Sequence, residues 1–151
     1  MKAIFLLLLL CLPVSVSAQA LTPKIDPSKL SLLASPTSIL LDKDTYQLVS
    51  TNQSAKVNQA SKLIITVIPK TAHKINEEYP HRISVPAIID IDTGSEKYSG
   101  MIKDKQLQYE VQITPKKAGD FQLDATVNFS ICNDKACYMN KEKIALKVKV
   151  Q

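Results

Sequence analysis

Phe121-Gln122-Leu123-Asp124-Ala125-Thr126-Val127-Asn128-Phe129-Ser130-Ile131-Cys132 alternates apolar and polar residues without a break up to its last position. A strict period of two is the signature of a strand with one buried face. After Asn133-Asp134-Lys135-Ala136 comes Cys137, and then Ile144, Leu146, Val148 and Val150 alternate with Ala145, Lys147 and Lys149. The two runs make a hairpin with a cysteine at each side of its tip. Parity places both sulfurs on the polar face, because the apolar positions are odd on the first strand and even on the second. If the cysteines are directly opposed, the same register sets Ala125 against Ile144, Leu123 against Leu146 and Phe121 against Val148, apolar against apolar each time. Opposed residues of a non-hydrogen-bonded antiparallel pair lie about 4.5 Å apart at Cα, a span that a disulfide bridges. Asn140 and Glu142 stand at inward parity on the second strand, so a bulge or break is expected there.

The other end of the chain gives its address. Met1-Lys2 precedes an apolar run from Ala3 to Val16 that holds five consecutive leucines, followed by small residues at Ser17-Ala18 and Ala20. This is the pattern of a secretory signal peptide over residues 1–18, with cleavage after Ala20 as the alternative. A membrane anchor needs about 20 apolar residues, and this run is shorter and broken by Pro13. A lipoprotein signal ending at Cys11 is disfavoured, because Leu10 stands where a small residue is required. The expectation is an exported, periplasmic protein with no membrane span after cleavage. Cys132 and Cys137 are then the only cysteines left, and an even pair in an oxidising compartment reads as one disulfide.

The full chain has 151 residues and a net charge of +5, which suits one domain with its own core. The positive charge is spread along the sequence without a basic cluster or interleaved aromatics, so nucleic acid is not an expected partner. Residues 21–54 are rich in Ser, Thr, Asn, Gln and Pro and read as a polar arm, with a helical turn at Leu30–Leu33 after Asp26-Pro27 and one or two short strands. The folded domain is expected over 55–151. Leu63–Ile68 is a dense β-branched run suited to a strand buried on both sides. Thr71–Arg82 reads as a polar loop in which His73 and His81 are ordinary loop residues. Gly94 and Gly100 bracket a second loop, and Leu107, Tyr109, Val111 and Ile113 mark another half-buried strand. Six or seven short strands with polar turns and no helical period imply an all-β, immunoglobulin-like antiparallel β-sandwich.

With these elements in place, the chain resembles the amino-terminal periplasmic domain of the thiol:disulfide interchange protein DsbD family. The matching segment is Gly119–Val150, centred on Phe129-Ser130-Ile131-Cys132-Asn133-Asp134-Lys135-Ala136-Cys137-Tyr138, with His73-Lys74-Ile75-Asn76 as a looser match. The resemblance implies a thiol-disulfide oxidoreductase component that passes electrons through Cys132 and Cys137 to or from a thioredoxin-like partner. It implies a short cap loop bearing an aromatic residue over the disulfide, for which Tyr98 is the candidate. One cysteine is attacked and the other leaves, and Cys137 is taken as the leaving group. Lys135 and Lys141 would stabilise a thiolate, and Asp134 would oppose it.

The alternative is an immunoglobulin-like binding or structural module in which the disulfide is only a hairpin staple. A ring of this size stabilises by about 2 kcal/mol in the loop-entropy account, modest for a domain with its own core. A zinc or copper site at the cysteines would need the pair reduced, which an exported protein does not favour, so no metal or cofactor is expected. No Ser/His/Asp set, phosphate loop or pair of acids at a recognisable spacing supports hydrolytic or phosphoryl chemistry. The exported protein is expected to begin at Gln19 or Leu21, which mass spectrometry of the mature chain checks; retention of Met1, or a lipid-modified Cys11 at the amino terminus, would refute the signal-peptide reading.

Overall fold

The computed structural model describes residues 37–151 apart from Asn52. The signal peptide at 1–18, the alternative cleavage at Ala20, and the helical turn expected at Leu30–Leu33 lie outside the described residues. All regular structure within the described residues is strand: β1 (Ser38–Asp42), β2 (Tyr46–Thr51), β3 (Ser54–Ala55), β4 (Ser61–Pro69), β5 (Lys74–Ile75), β6 (Arg82–Ser84), β7 (Ile91–Asp92), β8 (Lys97–Ser99), β9 (Met101–Lys103), β10 (Gln106–Pro115), β11 (Gly119–Cys132) and β12 (Cys137–Val150). No helix among these residues is long and apolar enough to cross a membrane.

The strands form two sheets. One runs β1-β2-β4-β10-β7, with β9 also on β10, and the other runs β3-β12-β11-β6-β8, with β5 also on β11. Alternation explains the layering, since each long strand lays one apolar row inward. Leu63, Ile65 and Val67 of β4 and Leu107, Tyr109, Val111 and Ile113 of β10 face Leu123, Val127, Phe129 and Ile131 of β11, all at most 2% exposed. This is the expected β-sandwich, antiparallel except for the short parallel pair of β3 with β12, with twelve strands where the pattern marked six or seven. The extra ones are two or three residues long, too short to show a period. The β9–β10 hairpin turns on Asp104 and Lys105, both at positive φ (50° and 62°), the backbone a two-residue type I′ turn requires.

The β11–β12 register is the one the alternation dictated. Phe121 pairs with Val148, Leu123 with Leu146, Ala125 with Ile144 and Cys132 with Cys137, in one unbroken ladder from Gly119↔Val150. The break expected at Asn140 and Glu142 is absent: Asn140 donates to the Tyr138 carbonyl of its own strand at 3.0 Å, and the opposite sheet supplies partners to Glu142. Glu142 Oε1 accepts hydrogen bonds from Tyr46 Oη and Lys43 Nζ, both at 2.6 Å. Burial pushes the Glu142 carboxyl up, but these two donors outweigh it and hold it below the usual carboxylate range. A polar residue at inward parity is tolerated when its partner is already in place.

Part of the polar segment 21–54 belongs to the sandwich. β2 pairs with β4 over Tyr46↔Pro69 to Thr51↔Ile64, and Tyr46 and Leu48 are 1% and 0% exposed. Composition hid this, because Gln47, Ser50 and Thr51 dilute the apolar row that Tyr46 and Leu48 begin. The two sheets are tied across the core by the Tyr46 ring standing edge-on to Phe129, 4.8 Å between centroids, and by Tyr109 Oη donating to the Asn128 carbonyl at 3.0 Å. β4 is buried mainly on one side, with Ile64 and Ile68 half-buried on the other, rather than covered on both.

The core carries the stability, so Phe129→Ala should cost about 3–5 kcal/mol, whereas Cys132→Ala/Cys137→Ala should cost about 2 kcal/mol and leave a folded domain. Chemical denaturation of both variants checks the ranking; a double-cysteine variant that does not fold would refute it.

Candidate functional site

The site forms where β11 ends. Cys132 and Cys137 are joined in a disulfide with their Cα atoms 3.9 Å apart. Asn133 closes the four-residue turn between them: its backbone N–H donates to the Ala136 carbonyl, and its Oδ1 accepts from the N–H groups of Lys135 and Ala136, each at 2.9 Å. An Asn side chain that mimics a backbone turn holds this geometry without glycine.

Shared parity does not give the two cysteines a shared environment. Cys137 is exposed, whereas Cys132 is 5% exposed. β5 accounts for the difference. It lies on the free side of β11, pairing Ile75 with Ile131 and Lys74 with Cys132, and the chain continues through Asn76, whose N–H donates to the Ser130 carbonyl at 3.0 Å. The outward positions at the end of β11, Ser130 and Cys132, are thereby covered. The only covering strand is two residues long, so nothing in the alternation of β11 foretold it.

Lys74 is the residue that sequence reasoning passed over. The register sets it directly beside Cys132 on the side opposite Cys137. The row across the sheet therefore reads Lys74, Cys132, Cys137. Lys74 and Cys132 share the lining of a groove of about 530 Å³ with Asn76, Glu77, Glu78, Asp134 and Cys137. A smaller cavity of about 190 Å³ on the other flank brings His73 and Ala72 against Cys132 and Asn133. An ammonium beside a sulfur stabilises its thiolate. The looser match at His73-Lys74-Ile75-Asn76 was the one sequence signal that pointed to this segment.

Tyr98 lies elsewhere. It sits in β8 opposite Ile83 of β6, which in turn pairs with Val127, five residues down β11 from Cys132, or about 16 Å at the rise of a strand. Its hydroxyl donates to the carbonyls of Thr93 and Gln112, so it locks the 93–99 loop to β10. The groove at the disulfide is walled by Lys74–Glu78 instead. Lys135 and Asp134 are in the exposed turn beside the sulfurs, as the sequence places them, while Lys141 lies four residues along β12 from Cys137. No group of three or more His, Cys, Asp or Glu side chains among the described residues is arranged to hold a metal ion.

His81 is not an ordinary loop residue. It is 6% exposed, packs against the Tyr79 ring at 5.4 Å between centroids and a tilt of 56°, and donates from Nε2 to the Asn76 carbonyl at 2.7 Å. That bond fixes the tautomer, and Nδ1 is left buried without a partner. Gly100 permits the packing: its N–H donates to the His81 carbonyl at 3.0 Å, and a Cβ there would lie 2.6 Å from Leu107 Cδ1 and 3.0 Å from His81 Cβ. Through Asn76, His81 holds the segment that covers Cys132.

Among known proteins, the chain matches no family model and no curated protein.

Burial holds the His81 imidazole below its ordinary pKa of 6.5, the Asn76 carbonyl only partly offsetting it. The unfolded chain therefore binds a proton that the folded one refuses, so stability is full above pH 6.5 and falls as pH drops below it. Denaturation midpoints at pH 7.5 and 5.5 should show this loss, and His81→Gln, which keeps a donor toward Asn76, should flatten it; an unchanged slope in that variant would refute the assignment.

Proposed function

We propose that the chain is a thiol-disulfide exchange module that passes electrons through Cys132 and Cys137 to or from a thioredoxin-like partner, as its resemblance to the amino-terminal domain of the DsbD family implies. The observation that carries this reading is the asymmetry of the disulfide, one cysteine exposed at a hairpin tip and the other buried beside a lysine. A structural staple has no need of that arrangement, and the cross-link adds only about 2 kcal/mol to a domain with an independent core.

The asymmetry favours one order of attack. A partner thiolate attacks Cys137 Sγ, the accessible sulfur; a new intermolecular S–S bond forms, and the electron pair of the old bond departs on Cys132 Sγ as a thiolate. Lys74 lies beside that developing charge. The partner's second thiolate then attacks the partner sulfur of the mixed disulfide and releases Cys137. Two electrons have passed, leaving a dithiol here and a disulfide on the partner, and the reverse sequence returns them. This order makes Cys132 the leaving group, the reverse of the sequence-based assignment.

Cys132→Ala, expressed in the exporting host and run on non-reducing gels after acid quenching, should accumulate a reducible adduct through Cys137, with far less from Cys137→Ala. Lys74→Gln should slow reduction of the wild-type pair several-fold. If neither cysteine variant forms an adduct and the disulfide withstands a thioredoxin-like reductant, the pair is a staple and the chain is a binding or structural module.

A further inference from the structure

The lysines that look scattered in the sequence are gathered by register. On the outward face of the second sheet, residues in adjacent strands line up in rows. One row is Ser99, Arg82, Asn128 and Lys141, and the next is Lys97, Ser84, Thr126 and Lys143. Farther along, Lys147 stands beside Gln122 and Lys149 beside Asp120. Arg82, Lys97, Lys141, Lys143, Lys147 and Lys149 are all exposed, and none of them is in an ion pair among the described residues. The acids at outward positions of the same strands are Asp120 and Asp124, on the half of β11 away from the cysteines, while Glu77, Glu78 and Asp134 share the groove at the disulfide with Lys74 and Lys135. On the other sheet Lys62 is bound to Glu110 at 2.7 Å and Lys70 to Asp42 at 2.6 Å, while Lys103 has no ion pair among the described residues.

This face leads to the disulfide. Cys132 and Cys137 occupy the same outward parity, and between them and the first cationic row comes only the pair Ser130 and Met139. Met139 is 78% exposed, and Tyr138 beside it 53%. A body resting on the cations therefore reaches Cys137 across one exposed apolar side chain. The face is about 40 Å long, from twelve residues of strand rise.

We propose that this face is the docking surface for an acidic protein partner, whose negative surface around its own thiol is drawn along the rows of Arg82, Lys97, Lys141 and Lys143 onto Cys137. The inference rests on the exchange reading for its purpose but not for its binding. Unpaired like charges on one face raise the encounter rate of an opposite charge by about 10-fold to 1,000-fold at low salt, and the gain disappears as salt screens it.

Two readouts separate the surface from the chemistry. The first is fluorescence anisotropy of a labelled Glu-rich peptide without cysteine, titrated with the oxidised protein. The second is the rate at which the disulfide is reduced by two cysteine peptides of equal length, one Glu-rich and one Ser-rich. The acidic peptide should bind at low salt, and the acidic thiol should react at least about tenfold faster than the neutral one, the advantage vanishing near 0.5 M NaCl. Lys97→Glu/Lys141→Glu/Lys143→Glu should abolish both effects. Lys103→Glu/Lys116→Glu/Lys117→Glu, which changes net charge equally away from this face, should retain most of them. Binding without reduction would uphold the surface and sink the exchange reading. Reduction with no preference for the acidic thiol, or equal losses in the two triple variants, would overturn the surface. Tighter binding to vesicles of anionic lipid than to the acidic peptide would overturn it in favour of a membrane.

Discussion

Everything at the functional end of this molecule depends on the pairing of β11 with β12. Fourteen consecutive residue pairs run from Gly119↔Val150 to Cys132↔Cys137 without a shift. Side chains alternate between faces with a period of two, so a slip of one residue would either send Leu123, Val127 and Phe129 to solvent or bring Lys143 and Lys147 into the core. The apolar rows forbid that slip. They thereby fix, at the far end of the ladder, which residue faces Cys132. The disulfide does not set the register; it is permitted by it.

What was legible in the sequence follows from the same physics. The hairpin register, the opposed cysteines and the sandwich class could be read because β10 and β11 are long and strictly alternating, as is β12 from Ile144 to Val150. Features that arise between segments distant in the chain could not. Cys132 has outward parity, and only β5, two residues contributed from a polar loop, turns it into a buried sulfur. Glu142 looked like a fault in its strand until Tyr46 and Lys43 arrived from the other sheet. His81 gave no sign of burial, since its environment is assembled from Tyr79, Asn76 and the backbone at Gly100. Tyr98 was a reasonable aromatic for a cap, but its hydroxyl is engaged with Thr93 and Gln112.

The fold divides its tasks along the length of one hairpin. The half near Val150 is ordinary sandwich, with Leu146 and Val148 at most 2% exposed. On β12 the half near Cys137 leaves the core, and Tyr138 and Met139 stand in solvent, while Val127, Phe129 and Ile131 across from it on β11 stay buried. Cys137 therefore lies outside the packed interior, whereas Cys132 is buried at its margin beside Ile131.

The outer edge of β12 adds a final consequence. Only its last two residues, Lys149 and Val150, pair with β3, and among the described residues no strand covers the edge from Tyr138 to Val148. A bare strand of that length is a template on which a second copy of the chain could add itself. Antiparallel addition of one β12 to another would bring Lys141, Lys143 and Lys147 of each copy close to those of the other, like charge against like charge on one face. The lysines thus discourage growth of the sheet from molecule to molecule, and guard the exposed edge of the hairpin against serving as a seed for aggregation.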